Sequence, residues 1–214
     1  MAIFVGFDIG GTFTDFAMLD QQEGQWRFTK VRTTPQDRAA ACLEGVDTLL
    51  AEAQRPAGTV GYIAHGSTVV TNTIIERKGA KTALITTRGF RDVLEIRRQV
   101  MPHRYDVRVL KPAPLVPRLL RLEVGERVLA DGSVEQPLNE DDLREILDQL
   151  RAQGIASRAI SFLHSYANPA NEDRAAAVAA AAGDWYVCAS HEVMNEFREY
   201  ERTSTTVANA YVAP

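Results

Sequence analysis

The chain has 214 residues, 45% of them hydrophobic and 24% charged, with a formal net charge of −4. That is the composition of a soluble globule with room for one large or two small domains, and its acidic balance argues against nonspecific nucleic-acid binding, which needs a basic surface. No apolar run approaches the roughly 20 residues that cross a bilayer, and the opening apolar stretch meets an acid at Asp8, so it predicts a buried strand rather than a targeting segment. Cys42 and Cys188 are far apart and read as reduced core thiols, which places the protein in the cytoplasm.

In chain order, residues 3–8 predict a strand that ends at a carboxylate. Gly10-Gly11 breaks it, 14–19 resumes as a second strand, and 25–33 alternates as a third, which makes an antiparallel meander. Ala39, Cys42, Leu43, Val46 and Leu50 recur at helical spacing after Pro35 and Asp37. A buried strand over 60–64, a helix over 67–77 stopped by Gly79, and a strand over 81–86 follow. Residues 88–121, rich in arginine and with four prolines, predict an extended surface excursion with a short helix near Asp92. Residues 122–129, Asp131-Gly132 and Val134 predict a hairpin.

The last third is more regular. Asn139 caps a predicted helix with Leu143, Ile146, Leu147 and Leu150 on one face and Gly154 at its end, and Glu140, Asp141 and Asp142 suit its positive start. A strand over 159–163, an Ala-rich helix opened by Asn168-Pro169, and a strand over 185–189 come next. A final helix is expected from near Thr203, still lengthening at Pro214, so the sequence reads as part of a longer protein. The expected organisation is a first subdomain over 1–87, an α/β continuation over 88–201, and the start of a helix over 202–214.

The segment most informative about chemistry is Asp8-Ile9-Gly10-Gly11-Thr12-Phe13-Thr14-Asp15. Residues without side chains let a ligand approach the backbone, and successive N–H groups in such a turn form an anion nest. Thr12 and Thr14 add hydroxyl donors. A carboxylate beside a phosphate nest would repel the phosphate unless a hydrated Mg²⁺ lay between them, since Mg²⁺ keeps its waters and binds few carboxylates. Asp8 is thus the candidate catalytic residue and metal holder, with Gly10, Gly11, Thr12 and Thr14 as the phosphate cradle. A plain Gly-Gly hairpin turn is the alternative. Neither GxxxxGK[ST] nor a strand-following GxGxxG occurs.

The longer string DIGGTFTD resembles the first phosphate motif of the hydantoinase A/5-oxoprolinase family, which also includes subunits of acetone and acetophenone carboxylases. His65-Gly66-Ser67-Thr68-Val69-Val70-Thr71-Asn72-Thr73 resembles the family's HGTTVATNA, and Thr86-Thr87-Arg88-Gly89-Phe90-Arg91-Asp92, the 162–166 segment with Asn168-Pro169, and 196–206 are similar as well. The departure is 101–106, where the family more often has Arg-Pro, a spacer, then Leu-Tyr-Asp. The resemblance implies an α/β fold: an actin-like (RNase H-type) ATPase first lobe with an antiparallel meander, plus a second α/β part, incomplete as a two-lobed fold. It implies ATP and Mg²⁺ as cofactors, with a small-molecule substrate ring-opened through phosphorylation of its amide carbonyl oxygen. It also implies a hydantoinase B-type partner subunit or domain and an oligomeric parent enzyme. A ketone carboxylase subunit, a sugar kinase and a non-catalytic fragment remain alternatives.

By that resemblance His65, Thr68 and Asn72 are candidates for the substrate side, although Ser67 as a helix cap and His65 bonded to backbone describe the same residues. Arg91, Arg97, Arg98 and Arg104 suit carboxylates or phosphates, but a solvated surface or a subunit interface is the favoured reading. His103, His164 and His191 have no partners at zinc spacing. Glu196, Arg198, Glu199, Glu201 and Arg202 are expected to form ion pairs around the last loop, with lining of the cleft as the alternative.

Overall fold

A computed structural model gives the fold and describes residues 2–34, 37–100, 105, 106 and 108–214. The chain divides into two compact units, Met1–Glu76 and Arg77–Pro214.

The first unit holds β1 (Ile3–Ile9), β2 (Phe13–Asp20), β3 (Gln25–Arg32), α1 (Arg38–Glu52), β4 (Val60–Ser67) and α2 (Val69–Ile75). Its sheet runs β3-β2-β1-β4: the first three strands form the expected antiparallel meander, and β4 adds parallel to β1. Alternation in β1 and β2 sends Ile3, Val5, Phe16 and Met18 to one face, where Leu49 and Leu50 of α1 and Ala53 just after it close the core. Gly45 permits that packing, because a Cβ there would stand 2.2 Å from the Phe16 ring. Asp37 caps α1, accepting from Ala40 N at 3.1 Å, while Pro35 lies outside the described residues.

On the other face Phe4, Tyr62, Trp26 and Phe28 remain exposed, Phe4 against Tyr62 at 5.8 Å and Trp26 stacked on Phe28 at 6.2 Å. The expectation of a buried strand at 60–64 is not met. β4 is an edge strand while α1 lies over β2 and β3, so Gly61 through Ser67 are exposed.

The second unit holds β5 (Thr82–Thr87), α3 (Val93–Ile96), β6 (Arg121–Val124), β7 (Arg127–Val128), β8 (Val134–Gln136), α4 (Glu140–Ala152), β9 (Ser157–Ser161), α5 (Ala170–Ala181), β10 (Tyr186–Ala189), α6 (Ser190–Val193) and α7 (Glu199–Val212). Its main sheet, β10-β9-β5-β6, is wholly parallel. All six residues of β5 are buried, as a parallel strand covered on both faces requires. β5 pairs in the second sheet and lies in the unit Arg77–Pro214.

The expected hairpin over 122–134 is also split. β6 joins β5, and only Arg127–Val128 pairs with β8, because Asn139 N donates to Gly125 O at 2.7 Å and turns the chain there. α4 buries Leu143, Ile146, Leu147 and Leu150 as its spacing predicted, Asn139 caps it by accepting from Asp141 N and Asp142 N, and Gly154 follows at φ +64°. α7 starts at Glu199, earlier than expected, and packs on the sheet face to which Ser157 and Ser161 point.

The segment after β5 is tied down rather than free. Arg118 forms a two-pronged pair with Asp92 at 2.8 Å, Arg121 reaches Glu95 at 2.9 Å, Arg97 donates to Pro112 O and Arg98 pairs with Glu201. His103 and Arg104 lie outside the described residues. Both cysteines are free thiols, but only Cys188 is buried, and burial pushes its pKa up to about 11; Cys42 is half-buried.

Candidate functional site: the glycine turn of the first sheet

β1 and β2 are joined by a turn so tight that Gly10 N donates to Phe13 O at 3.0 Å. A Cβ on Gly10 would stand 2.7 Å from that same oxygen, so the position has no room for a side chain. The glycine requirement is therefore one of space, and neither Gly10 nor Gly11 has a positive φ. Thr33 locks the turn from below: its N–H donates to Thr12 O at 3.0 Å and its hydroxyl to Gly10 O at 2.9 Å. Thr14 is fully buried, with its hydroxyl 3.1 Å from that of Thr33. It supports the turn through Thr33, whose hydroxyl donates to Gly10 O. What the turn does present is backbone. Gly11 and Thr12 are exposed, and no acceptor among the described residues takes either N–H.

Asp8 is exposed on the open face of the sheet, with its Oδ1 3.2 Å from where a Cβ of Gly66 would be. Register places Asp15 directly across from it on β2, and Asp15 is paired with Lys30 at 2.9 Å. Opposed carboxylates on one sheet face repel unless a cation lies near, and Lys30 answers for only one of them. Among the described residues no three His, Cys, Asp or Glu side chains gather as a metal group. One or two carboxylates with the remaining positions left to water and phosphate is, however, how Mg²⁺ is commonly held.

The three other candidates do not come together in the structure. His65 pairs in register with Phe7 and stacks on it at 5.7 Å, which puts its ring on the α1 face, opposite to Asp8. Thr68 and Asn72 come instead to the glycine turn. Thr68 donates to Ile9 O from its N–H at 3.3 Å and from its hydroxyl at 3.4 Å, Asn72 Nδ2 reaches Thr68 Oγ1 at 3.5 Å, and that amide lies 3.7 Å from a Cβ position on Gly11. The turn thus has Asp8 on one side and the Thr68–Asn72 pair on another.

The second unit buries a polar cluster at the carboxyl ends of its parallel strands, of which the residue pattern carries only faint signs. Glu172, fully buried in the first turn of α5, accepts from Phe162 N at 2.8 Å, Ser190 Oγ at 2.7 Å, His191 N at 2.9 Å and His191 Nδ1 at 2.5 Å. Arg202, expected in ion pairs around the last loop, is buried and donates to Ser190 Oγ, Glu196 O and Phe162 O at 3.1, 2.7 and 2.8 Å. Burial pushes the Glu126 carboxyl above its usual range, against hydrogen bonds from Thr87 and Asn171. The Asn168-Pro169 helix start was the signal that could have flagged Glu172, since acids favour that position.

A space-limited glycine turn at the carboxyl end of β1 thus sets N–H groups without partners among the described residues beside a carboxylate, in an α/β chain. The chain belongs to the hydantoinase/oxoprolinase N-terminal region family, whose sequence profile matches residues 4–183. It is 42% identical over 217 residues to the caprolactamase subunit alpha of Pseudomonas jessenii, spanning 98% of this chain and 31% of that one. The crystal structure of the ATP-dependent caprolactamase from that organism superposes with a TM-score of 0.84 at 41% identity, over 99% of this chain and 31% of the other. A nucleotide-free acetone carboxylase structure superposes with a TM-score of 0.87 at 31% identity, over 98% and 32%. The chain spans about a third of the length of these relatives.

Proposed function

We propose that the protein carries the phosphate-binding part of an ATP-dependent enzyme that opens a cyclic amide, on an actin-like first lobe. The observation that carries this reading is the exposed, unpaired N–H pair of Gly11 and Thr12 next to Asp8, in a chain 42% identical to a caprolactamase subunit. Gly10, Gly11 and Thr12 would hold phosphate through backbone, with Thr14 and Thr33 fixing the turn. Asp8 would hold a hydrated Mg²⁺. Bound ATP would supply a phosphoryl group to an amide carbonyl oxygen, turning a poor electrophile into one open to water. The chain's own part is positioning and charge stabilisation. Thr68 and Asn72 border the cradle and would orient the transferred group, while His65, on the other face, would act at a distance from it. The name of the relative, a subunit alpha, makes a second subunit expected here.

The test is titration of Mg·ATP into the chain, followed at the amide signals of Gly11 and Thr12. Saturable shifts with Mg·ATP but not with adenosine are expected, and Asp8→Asn should remove the dependence on Mg²⁺. Unmoved signals at millimolar nucleotide would leave the turn as a structural hairpin. The second reading, ATP-dependent ketone carboxylation, draws on the acetone carboxylase likeness. ATP consumption that requires bicarbonate, in the assembled enzyme, would favour it over amide hydrolysis.

A further inference from the structure

The arginine-rich segment that follows β5 divides its cations into two kinds. Arg91, Arg98, Arg108, Arg118 and Arg121 each stand against a carboxylate, of Glu123, Glu201, Asp106, Asp92 and Glu95 in turn. Arg97 and Lys111 of the same segment, and Arg77 just before β5, do not pair with any carboxylate among the described residues. All three meet at the stretch 112–114. Arg77 donates from Nη1 to Pro114 O at 3.1 Å and from Nη2 to Ala113 O, Arg97 donates from Nη2 to Pro112 O, and Lys111 precedes Pro112 in the chain.

Fastening that stretch does not call for charge, since a neutral amide donates to a carbonyl as well. Like charges held together repel, the more so with no acid among them. Arg97 also carries backbone strain: at φ +56° and ψ −141° it has a conformation that suits glycine rather than a residue with a Cβ. Arg77 has a positive φ as well, +57°. Strain of this kind persists only where the surroundings hold it, and it gathers at ligand sites. A guanidinium has five N–H donors, of which Arg77 commits two and Arg97 one to the carbonyls, and the Lys111 ammonium makes no hydrogen bond among the described residues. The committed donors fix both guanidinium groups in place, and the others stay open to an anion.

We propose that Arg77, Arg97 and Lys111 form an anion site that takes a phosphate group. A carboxylate brings a single charge and two oxygens to this cluster of cations. A phosphate brings about two charges and at least three acceptor oxygens, which suit guanidinium forks and an ammonium together. Pro112 and Ala113 are exposed, so the site reads the phosphate and not the molecule that carries it. These residues belong to the unit Arg77–Pro214 and the glycine turn to Met1–Glu76, so each reading is followed at its own amides and either can fail alone.

The test adds inorganic phosphate, and separately ATP without Mg²⁺, to the ¹⁵N-labelled chain at low ionic strength, with chloride at matched ionic strength as the control. Saturable shifts at the Arg97, Lys111 and Ala113 amides are expected with phosphate and not with chloride. Shifts at the same amides with ATP would mark a phosphate carried by a nucleotide, and shifts with inorganic phosphate alone a free ion; either supports the site. Lys111→Met and Arg97→Gly should each weaken phosphate binding about tenfold, the scale of one charge-assisted hydrogen bond. Arg97→Gly should not lower the melting temperature, since glycine fits that backbone, which separates lost binding from a lost fold. Where it does lower it, Lys111→Met decides, because that side chain fastens nothing among the described residues. Shifts that do not saturate, chloride shifts of the same size, or full affinity in Lys111→Met would each overturn the proposal.

Discussion

Gly10 and Gly11 stand side by side in the turn, yet the structure asks different things of them. A methyl group on Gly10 would collide with Phe13 O at 2.7 Å, whereas one on Gly11 would meet Asn72 Nδ2 at an ordinary 3.7 Å. Gly10→Ala should therefore cost about 1–3 kcal/mol in urea unfolding, as overpacking does, and Gly11→Ala less than about 1. Equal costs would remove the spatial argument for the turn. Arg158 makes the opposite case. It is buried, donates only from Nη1, to Ile155 O at 2.9 Å, and leaves Nε and Nη2 without partners under the Trp185 ring. Burial draws its pKa down to about 10. Each unmet buried donor costs about 1–3 kcal/mol, more than a cation–π contact of about 0.5–2 kcal/mol recovers. Arg158→Met should raise the melting temperature of the second unit, and a fall would show that the stacking outweighs the unmet donors.

His191 adds a pH dependence. A hydrogen bond to Glu172 raises its pKa against a smaller effect of burial, and Glu172, Asp173 and Glu192 all face it as negative charges; Arg202 joins the same cluster through Ser190. Its folded pKa lies above the unfolded value near 6.5, so its stabilisation is fully present below that value and is lost as pH rises through the folded pKa. Unfolding free energy read from Trp185 fluorescence should fall as pH rises above about 6.5, and His191→Asn should flatten that slope. An unchanged slope would place the titrating group elsewhere.

At the scale of elements, α4 is the clearest case of local sequence deciding structure. Its apolar spacing, its Asn139 cap and Gly154 agree, and all three are realised. Asn139→Ala should cost about 1 kcal/mol, the usual value of a lost cap, and a loss within error would mean that the Gly125 contact rather than the cap sets the helix start. The 88–121 excursion was legible as irregular because its prolines and arginines match no period. What the arginines bond to was not, since Arg97, Arg98, Arg118 and Arg121 find acceptors up to 103 residues away in sequence. β6 was misread for a related reason. Four residues with two buried positions fit a hairpin arm as well as a parallel edge, and only β5 beside it decides.

On the scale of the molecule, the two units carry unequal cores. Among the described residues the first unit's core cluster holds seven buried apolar side chains and its sheet leaves an aromatic face exposed, while the second unit's cluster holds 21 around a parallel sheet. Hydrophobic burial is the main favourable term in folding, so the first unit should open at lower free energy. Native-state hydrogen exchange should protect Ile85 and Ile160 more strongly than Val5 and Phe7. A single opening free energy for both sets would show instead that the chain unfolds as one cooperative body.

The sequence by itself determined the meander, α4, α5 and the position of the glycine turn, because these depend on neighbours within a few residues: alternation, caps and small turn residues act locally. It also carried the family membership, in strings such as DIGGTFTD. Tertiary structure decided which face each candidate occupies. Asp8 and His65 sit one register step apart on neighbouring strands, yet a pleat with a period of two sends them to opposite sides. It likewise decided that Thr14 is a support, that Thr68 and Asn72 join the turn, and that Arg202 is buried, because burial and hydrogen-bond partners depend on what packs across space rather than along the chain.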